Sequence, residues 1–191
     1  MNTFCVKDLM VPISEYATVQ VGTTMLDALR ELSNAQAAYT ESHYLHRGIL
    51  VLDEHHNVIG KISQLRVLKA VIPESSLRSD IDLDQFGFSS SFIDRMKLKY
   101  RLDNKIINNE NLNNIASLKV EEFMQIPEPG EFVAEDANLD VAIYQLVSKT
   151  HLSLLVTRGE KIVGILRIAD VFAALSQEME KCSRRAAASA V

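Results

Sequence analysis

The chain has 191 residues, of which 47% are hydrophobic and 24% charged, so a real core is affordable and wholesale disorder is excluded. Seven glycines and four prolines exclude fibrous and low-complexity classes. The formal net charge of −5 argues against a nucleic-acid partner, since phosphate contacts need a basic surface.

In chain order, Met1 to Asp8 lacks the basic region and apolar core of a signal peptide. No apolar run approaches the ~20 residues that span a bilayer. Cys5 and Cys182 stand near opposite ends with no metal-like cysteine partner, so a reduced cytoplasmic protein without a membrane partner is expected. Val6-Lys7-Asp8-Leu9-Met10 opens a short extended lead that ends near Val19. Met25, Ala28, Leu29 and Leu32 then recur at helical spacing and predict one apolar stripe. Ile49-Leu50-Val51-Leu52 predicts a strand, Asp53 to Asn57 a polar turn, and Val58 to Ile62 the second strand of a hairpin. Strands this continuously apolar imply burial on both faces. A closing helix is expected to bury Val67, Leu68 and Val71.

The stretch from Glu74 to Leu118 is long for a connection. Phe92 to Leu102 predicts a helix. The asparagines that follow, Asn104, Asn108, Asn109, Asn111, Asn113 and Asn114, predict turn or loop, because their side chains compete with helix backbone.

Then the pattern starts again. Val120-Glu121-Glu122-Phe123-Met124 repeats Val6 to Met10 at an offset of 114, and Val133, Leu139, Ala142, Ile143 and Leu146 keep that offset. The second hairpin, ending in Ile162 to Leu166, matches at an offset of 104. The first copy therefore carries ten extra residues, placed within 33–47. Val171, Phe172 and Leu175 mirror Val67, Leu68 and Val71. Each copy reads β-α-β-β-α, an α/β chain of α+β-type repeats. A copy this small is marginal alone, but two packed sheet to sheet bury faces that one cannot. The expected divisions are 4–73, a connector at 74–118, a second copy at 119–177 and a C-terminal tail at 178–191.

The Val-x-x-Leu/Phe-Met segment, amphipathic helix, glycine-bearing hairpin and closing helix resemble a CBS domain, and two in tandem resemble a Bateman module. The resemblance implies two copies related by a pseudo-twofold, a homodimer, and regulation without chemistry by AMP, ADP, ATP or S-adenosylmethionine. It also implies a ligand motif, Gly-h-x-Ser/Thr-x-x-Asp. There the hydroxyl and helix N-terminus meet a phosphate and the aspartate accepts from the ribose hydroxyls. Each copy keeps half. Gly60 to Arg66 keeps Ser63 but has Arg66 at the aspartate position; Gly164 to Asp170 keeps Asp170 but has Arg167 at the hydroxyl position. Arg167 can replace the hydroxyl as a phosphate donor, so the second copy is the favoured site. Its implied residues are Asp170, Arg167, Ile126, Val133, His151, Leu152 and Ser153. The first-copy counterparts are Ser63, Arg66, Pro12, Val19, Arg47, Gly48 and Ile49.

Structural roles compete with these. Ser63 suits a helix N-cap. Asp170 suits the first turn of a helix, or a pair with Arg167 at i, i+3. Arg66 either binds an anion or reaches a carboxylate across an interface. His43, His46, His55 and His56 fall in the insertion and the turn, and read as exposed polar residues rather than metal ligands. Met10 and Met124 read as core plugs. No nucleophile stands with a base, and no phosphate-loop, dinucleotide or zincin motif occurs, so no enzyme is expected. The expected function is an adenosyl-ligand sensor that signals to an effector protein. The alternative is a ligand-free dimerisation scaffold with degenerate nucleotide sites.

Overall fold

The computed structural model describes residues 4–39, 45–71, 107–148 and 151–188. The expected helix at 92–102 and the residue His43 lie outside the described residues. The first copy contributes β1 (Val11–Pro12), β2 (Thr18–Gln20), α1 (Met25–Ala38), β3 (Gly48–Leu52), β4 (Val58–Ser63) and α2 (Gln64–Val71). A further helix, α3 (Asn109–Ser117), precedes the second copy: β5 (Phe132–Ala134), α4 (Leu139–Ser148), β6 (Ser153–Arg158), β7 (Lys161–Arg167) and α5 (Ile168–Ala188).

The repeat is a repeat of registers. β2 runs parallel to β3 and β3 antiparallel to β4; β5, β6 and β7 do the same. Both hairpins shift register at the same place, after Val51 and after Val156. Val19 faces Val51 and Val133 faces Val156. The strands β3 and β6 thus match at an offset of 105, whereas β4 and β7 match at 104. Nine of the ten surplus residues precede the strand and one falls in the hairpin turn. In the longer turn His56 adopts φ 61°; in the shorter one Gly159 takes that left-handed role.

The lead segments are exchanged. β1 pairs with β7 of the second copy, joining Val11 to Ile165 and Pro12 to Gly164. Reciprocally, Gln125 bridges to Lys61 of the first copy, and the backbone amide of each donates to the carbonyl of the other. Cys5 bridges Asn138 as Lys119 bridges Thr24. Each of these pairs maps onto its counterpart at the repeat offsets, which defines the pseudo-twofold. Met10 therefore crosses Gly164 and Met124 crosses Gly60. A Cβ at Gly164 would lie 2.9 Å from the Met10 sulfur, and one at Gly60 2.8 Å from that of Met124. The glycine in each hairpin clears the other copy's methionine.

Three apolar layers result. Ile49 and Val51 pack with Met25, Ala28, Val120 and Phe123. Leu154 and Val156 pack with Val6, Leu139, Ala142 and Val171. Leu50 and Leu155 turn the other way and meet between the two sheets, with Val11, Tyr16 and Ile165. Side chains alternate across a strand, so only a strand buried on both faces reads as a continuous apolar run.

Two expectations need correction. Within the asparagine-rich segment, Asn109–Ser117 is helical, while Asn104 lies outside the described residues. Asn108 caps α3, its side-chain Oδ1 accepting from the Asn111 backbone amide at 2.7 Å, and Ile115 anchors the helix in the first core. An N-cap is where asparagine's competition with the backbone helps a helix. Residues 178–188, from the expected C-terminal tail, continue α5, with the ion pairs Lys181–Glu178 and Arg184–Glu180 along it. Leu68 and Phe172, expected in the core, stand 62% and 65% exposed, while Val171 and Ala174 are buried.

Candidate functional site

The exchange of leads places a cleft of about 360 Å³ between the copies. Its first-copy wall includes Arg47, Gly48, Ile49, Lys61 and Ser63; its second-copy wall includes His151, Leu152, Ser153 and Arg167. Of the residues singled out in the sequence, the fold thus gathers Arg47, Gly48, Ile49 and Ser63 with His151, Leu152, Ser153 and Arg167. Asp170 does not line the cleft and meets it only through Arg167, and the rest stay out of it. Val19 and Val133 are core residues of the first and second copy. Pro12 is a residue of β1 paired with Gly164 of β7, Ile126 is 72% exposed and outside the cleft wall, and Arg66 is exposed to solvent.

The two ends of the cleft differ. At the second-copy end, Arg167 forks onto Asp170, with Nε and Nη2 donating to the two carboxylate oxygens at 2.5 and 2.6 Å. The pair is nearly buried: Arg167 is 4% exposed. Of the alternatives for Asp170, the i, i+3 partnership is the one formed. Residues of the first copy roof it. Arg167 Nη1 lies 3.3 Å from His46 Nδ1, and the guanidinium carbon sits 5.4 Å from the centre of the Tyr39 ring. The His46 ring contacts Tyr16 edge-on at 4.7 Å and Tyr39 at 4.8 Å between centroids. His46, expected to be exposed, is 2% exposed. A guanidinium only donates, so His46 Nδ1 is the acceptor and the imidazole is neutral. Burial and then the charge of Arg167 hold its pKa below the ordinary histidine value. Burial also pushes the Tyr16 phenol up to about 12, against the pull of Arg167. Burial works against the charge of Arg167, but its hydrogen bonds to Asp170 and the carboxylate charge outweigh it, so its pKa is raised.

At the first-copy end, Ser63 Oγ accepts from the Arg66 amide at 3.3 Å, the N-cap role. The wall opposite belongs to the second copy's lead. Glu131 Oε1 receives Lys61 Nζ at 2.5 Å, with His151 Nδ1 at 3.6 Å, and Glu131 Oε2 accepts the Glu128 amide. Burial raises the Glu131 pKa, but the Lys61 hydrogen bond, the Glu128 amide, the Lys61 charge and the nearby His151 outweigh it, leaving it below the ordinary value. Glu131 and Lys61 carried no motif that marked them, because their contact exists only across the copies. The same holds for Tyr16, Tyr39 and His46. Among the described residues no group of three or more His, Cys, Asp or Glu is placed to hold a metal ion, and no helix is long and apolar enough to cross a membrane.

This arrangement is that of a paired β-α-β-β-α module with a ligand-sized cleft on its pseudo-twofold. The CBS domain matches residues 6–73 and 120–177, and the chain belongs to the CBS-domain family as a tandem pair. Among solved structures, it is similar to protein MJ1004 from Methanocaldococcus jannaschii at 19% identity and a TM-score of 0.55, covering 91% of this chain and 60% of that one. It is similar to CBSX2 in complex with AMP at 22% identity and a TM-score of 0.56, covering 91% and 97%. The cytosolic domain of the Mg2+ channel MgtE in complex with ATP matches at 20% identity and a TM-score of 0.50, covering 87% of this chain and 46% of that one. No curated protein matches the chain.

Proposed function

We propose that this chain is a regulatory CBS pair that takes an adenine nucleotide or a related adenosyl ligand into the cleft between its copies and signals to an effector protein. The observation that carries the reading is the cleft itself, whose walls come from both copies. A ligand there has different contacts when the copies shift, and differential affinity is what a sensor needs. Apolar Ile49 and Leu152 suit a base, Arg47 and the N-terminal end of α2 at Ser63 suit a phosphate, and the carboxylates Glu128 and Glu131 lie on the wall for hydroxyls. The solved complexes of CBSX2 with AMP and MgtE with ATP support a nucleotide as the ligand class. Support for a homodimer comes from the exposed apolar residues of the closing helices, Leu65 and Leu68 on α2 and Phe172 on α5, with Val141, Tyr144 and Val147 on α4.

The test is calorimetry with AMP, ADP, ATP and S-adenosylmethionine, backed by thermal shift, since a ligand of the native state raises stability by mass action. At least one of the four is expected to bind, and Arg47→Glu to weaken a phosphate-bearing one tenfold or more. The absence of binding by all four at millimolar concentration would sink the reading. It would favour the ligand-free scaffold, which the Arg167–Asp170 pairing and the arginine at position 66 also suit.

A further inference from the structure

The ten surplus residues of the first copy have a visible consequence. Nine of them lie in the stretch between α1 and β3 that brings Tyr39 and His46 over the second copy's Arg167. The second copy has no such surplus ahead of β6, and its symmetry-equivalent end of the cleft, around Ser63, is lined by Arg47, Lys61 and His151 rather than roofed by rings. The cation that a ligand phosphate would meet at the Asp170 end already has a carboxylate. The carboxylate that a ribose would meet already has a guanidinium. The space above both is filled by imidazole and phenol.

We propose that Arg167, His46 and Tyr39 together are a built-in occupant of the Asp170 end of the cleft, restricting the chain to a single adenosyl ligand at the Ser63 end. The inference rests on the adenosyl-ligand reading above and says which end answers to it. Arg167 acts as the determinant: it satisfies Asp170 from within, in the place where the family motif has a hydroxyl. The aromatic roof then keeps water and ligand from the pair, and Asp170 serves to hold Arg167 rather than a sugar.

Calorimetry with AMP and with ATP on the full chain tests this by counting sites. Arg167→Thr restores the motif hydroxyl and releases Asp170. The expected result is one site per chain in the wild type and two in the variant. One site in both overturns the occupant and leaves the sensor reading standing. No site in the wild type and one in the variant upholds the occupant and overturns the sensor reading. No site in either overturns both. If Arg167→Thr does not fold, Asp170→Asn decides, because it retains an oxygen for Arg167. Wild-type affinity kept within twofold supports the occupant. A tenfold or larger loss, or the absence of any site to lose, overturns it.

Discussion

The two ends of the cleft are the same piece of sequence folded twice, and they do opposite things with an arginine. At one end Arg66 stands in the aspartate position, exposed to solvent. At the other Arg167 stands in the hydroxyl position, three residues earlier in the motif at the end of β7, and is buried against Asp170. One helical turn separates the two motif positions, and that turn decides whether the guanidinium leaves the protein or completes its interior. A cation exposed near a helix N-terminus is mildly unfavourable. A buried one is tolerable only with a forked carboxylate, and here it has one.

The sharpest way to break this contrast is Asp170→Ala, which strands the Arg167 charge under two rings. Removing one member of a buried pair costs roughly 3 kcal/mol or more. Urea unfolding is expected to show a loss near that size, and a loss under about 1 kcal/mol would mean the pair behaves as a surface pair. Next in size is the comparison of the two crossing points. At Gly164 an added Cβ would lie 2.7 Å from the Val11 carbonyl oxygen, which is sheet backbone; at Gly60 its nearest neighbours are all atoms of the Met124 side chain. Overpacking against backbone costs about 2 kcal/mol, whereas a methionine can swing away. Gly164→Ala is expected to lower the urea midpoint clearly more than Gly60→Ala, and equal shifts would show that the two crossings yield alike.

A smaller effect separates the ends by pH. The folded pKa of His46 lies below the ordinary value of 6.5. Between the two values the unfolded chain binds more protons, so stability from neutral His46 is full above pH 6.5 and falls as pH drops below it. Glu131 at the other end also has a lowered pKa, but as a carboxylate it loses its contribution only below its ordinary value of 4.5. Wild type is therefore expected to lose more stability than His46→Phe between pH 7 and pH 5.5; parallel curves would remove the histidine from the account. The smallest expected change in stability is for Phe172→Glu, an exposed position whose substitution is worth within about 0.5 kcal/mol. If α5 forms the dimer contact, sedimentation is expected to show that variant as a monomer with its urea midpoint intact; an unchanged dimer would place the contact elsewhere.

Much of the fold was legible because hydrophobic spacing reports directly on which face is buried. Met25 and Ala28, and Leu139, Ala142 and Leu146, are buried as their spacing predicts. Leu68 and Phe172 were misread for the same reason: spacing marks an apolar stripe but not whether this chain or another covers it. The asparagine run was misread because propensity is a local preference. Ile115 in the first core and the Asn111 hydrogen bond to the Val71 carbonyl override it. The candidate site was half legible. Ser63, Arg167 and Asp170 could be named from a motif, but Lys61 and Glu131 are 70 residues apart and His46 and Arg167 are 121 apart.

By itself the sequence determined the duplication, the order of elements in each copy, the surplus in the first, and the loss of half the ligand motif from each. Those are properties of neighbours along a chain, where period and residue type carry the information. Only the tertiary structure decided that the leads change places, that a glycine in each hairpin clears the other copy's methionine, and that the surplus delivers a histidine and a tyrosine onto Arg167. These depend on which distant segments meet, and that is fixed by packing two sheets face to face around Leu50 and Leu155 rather than by any local preference.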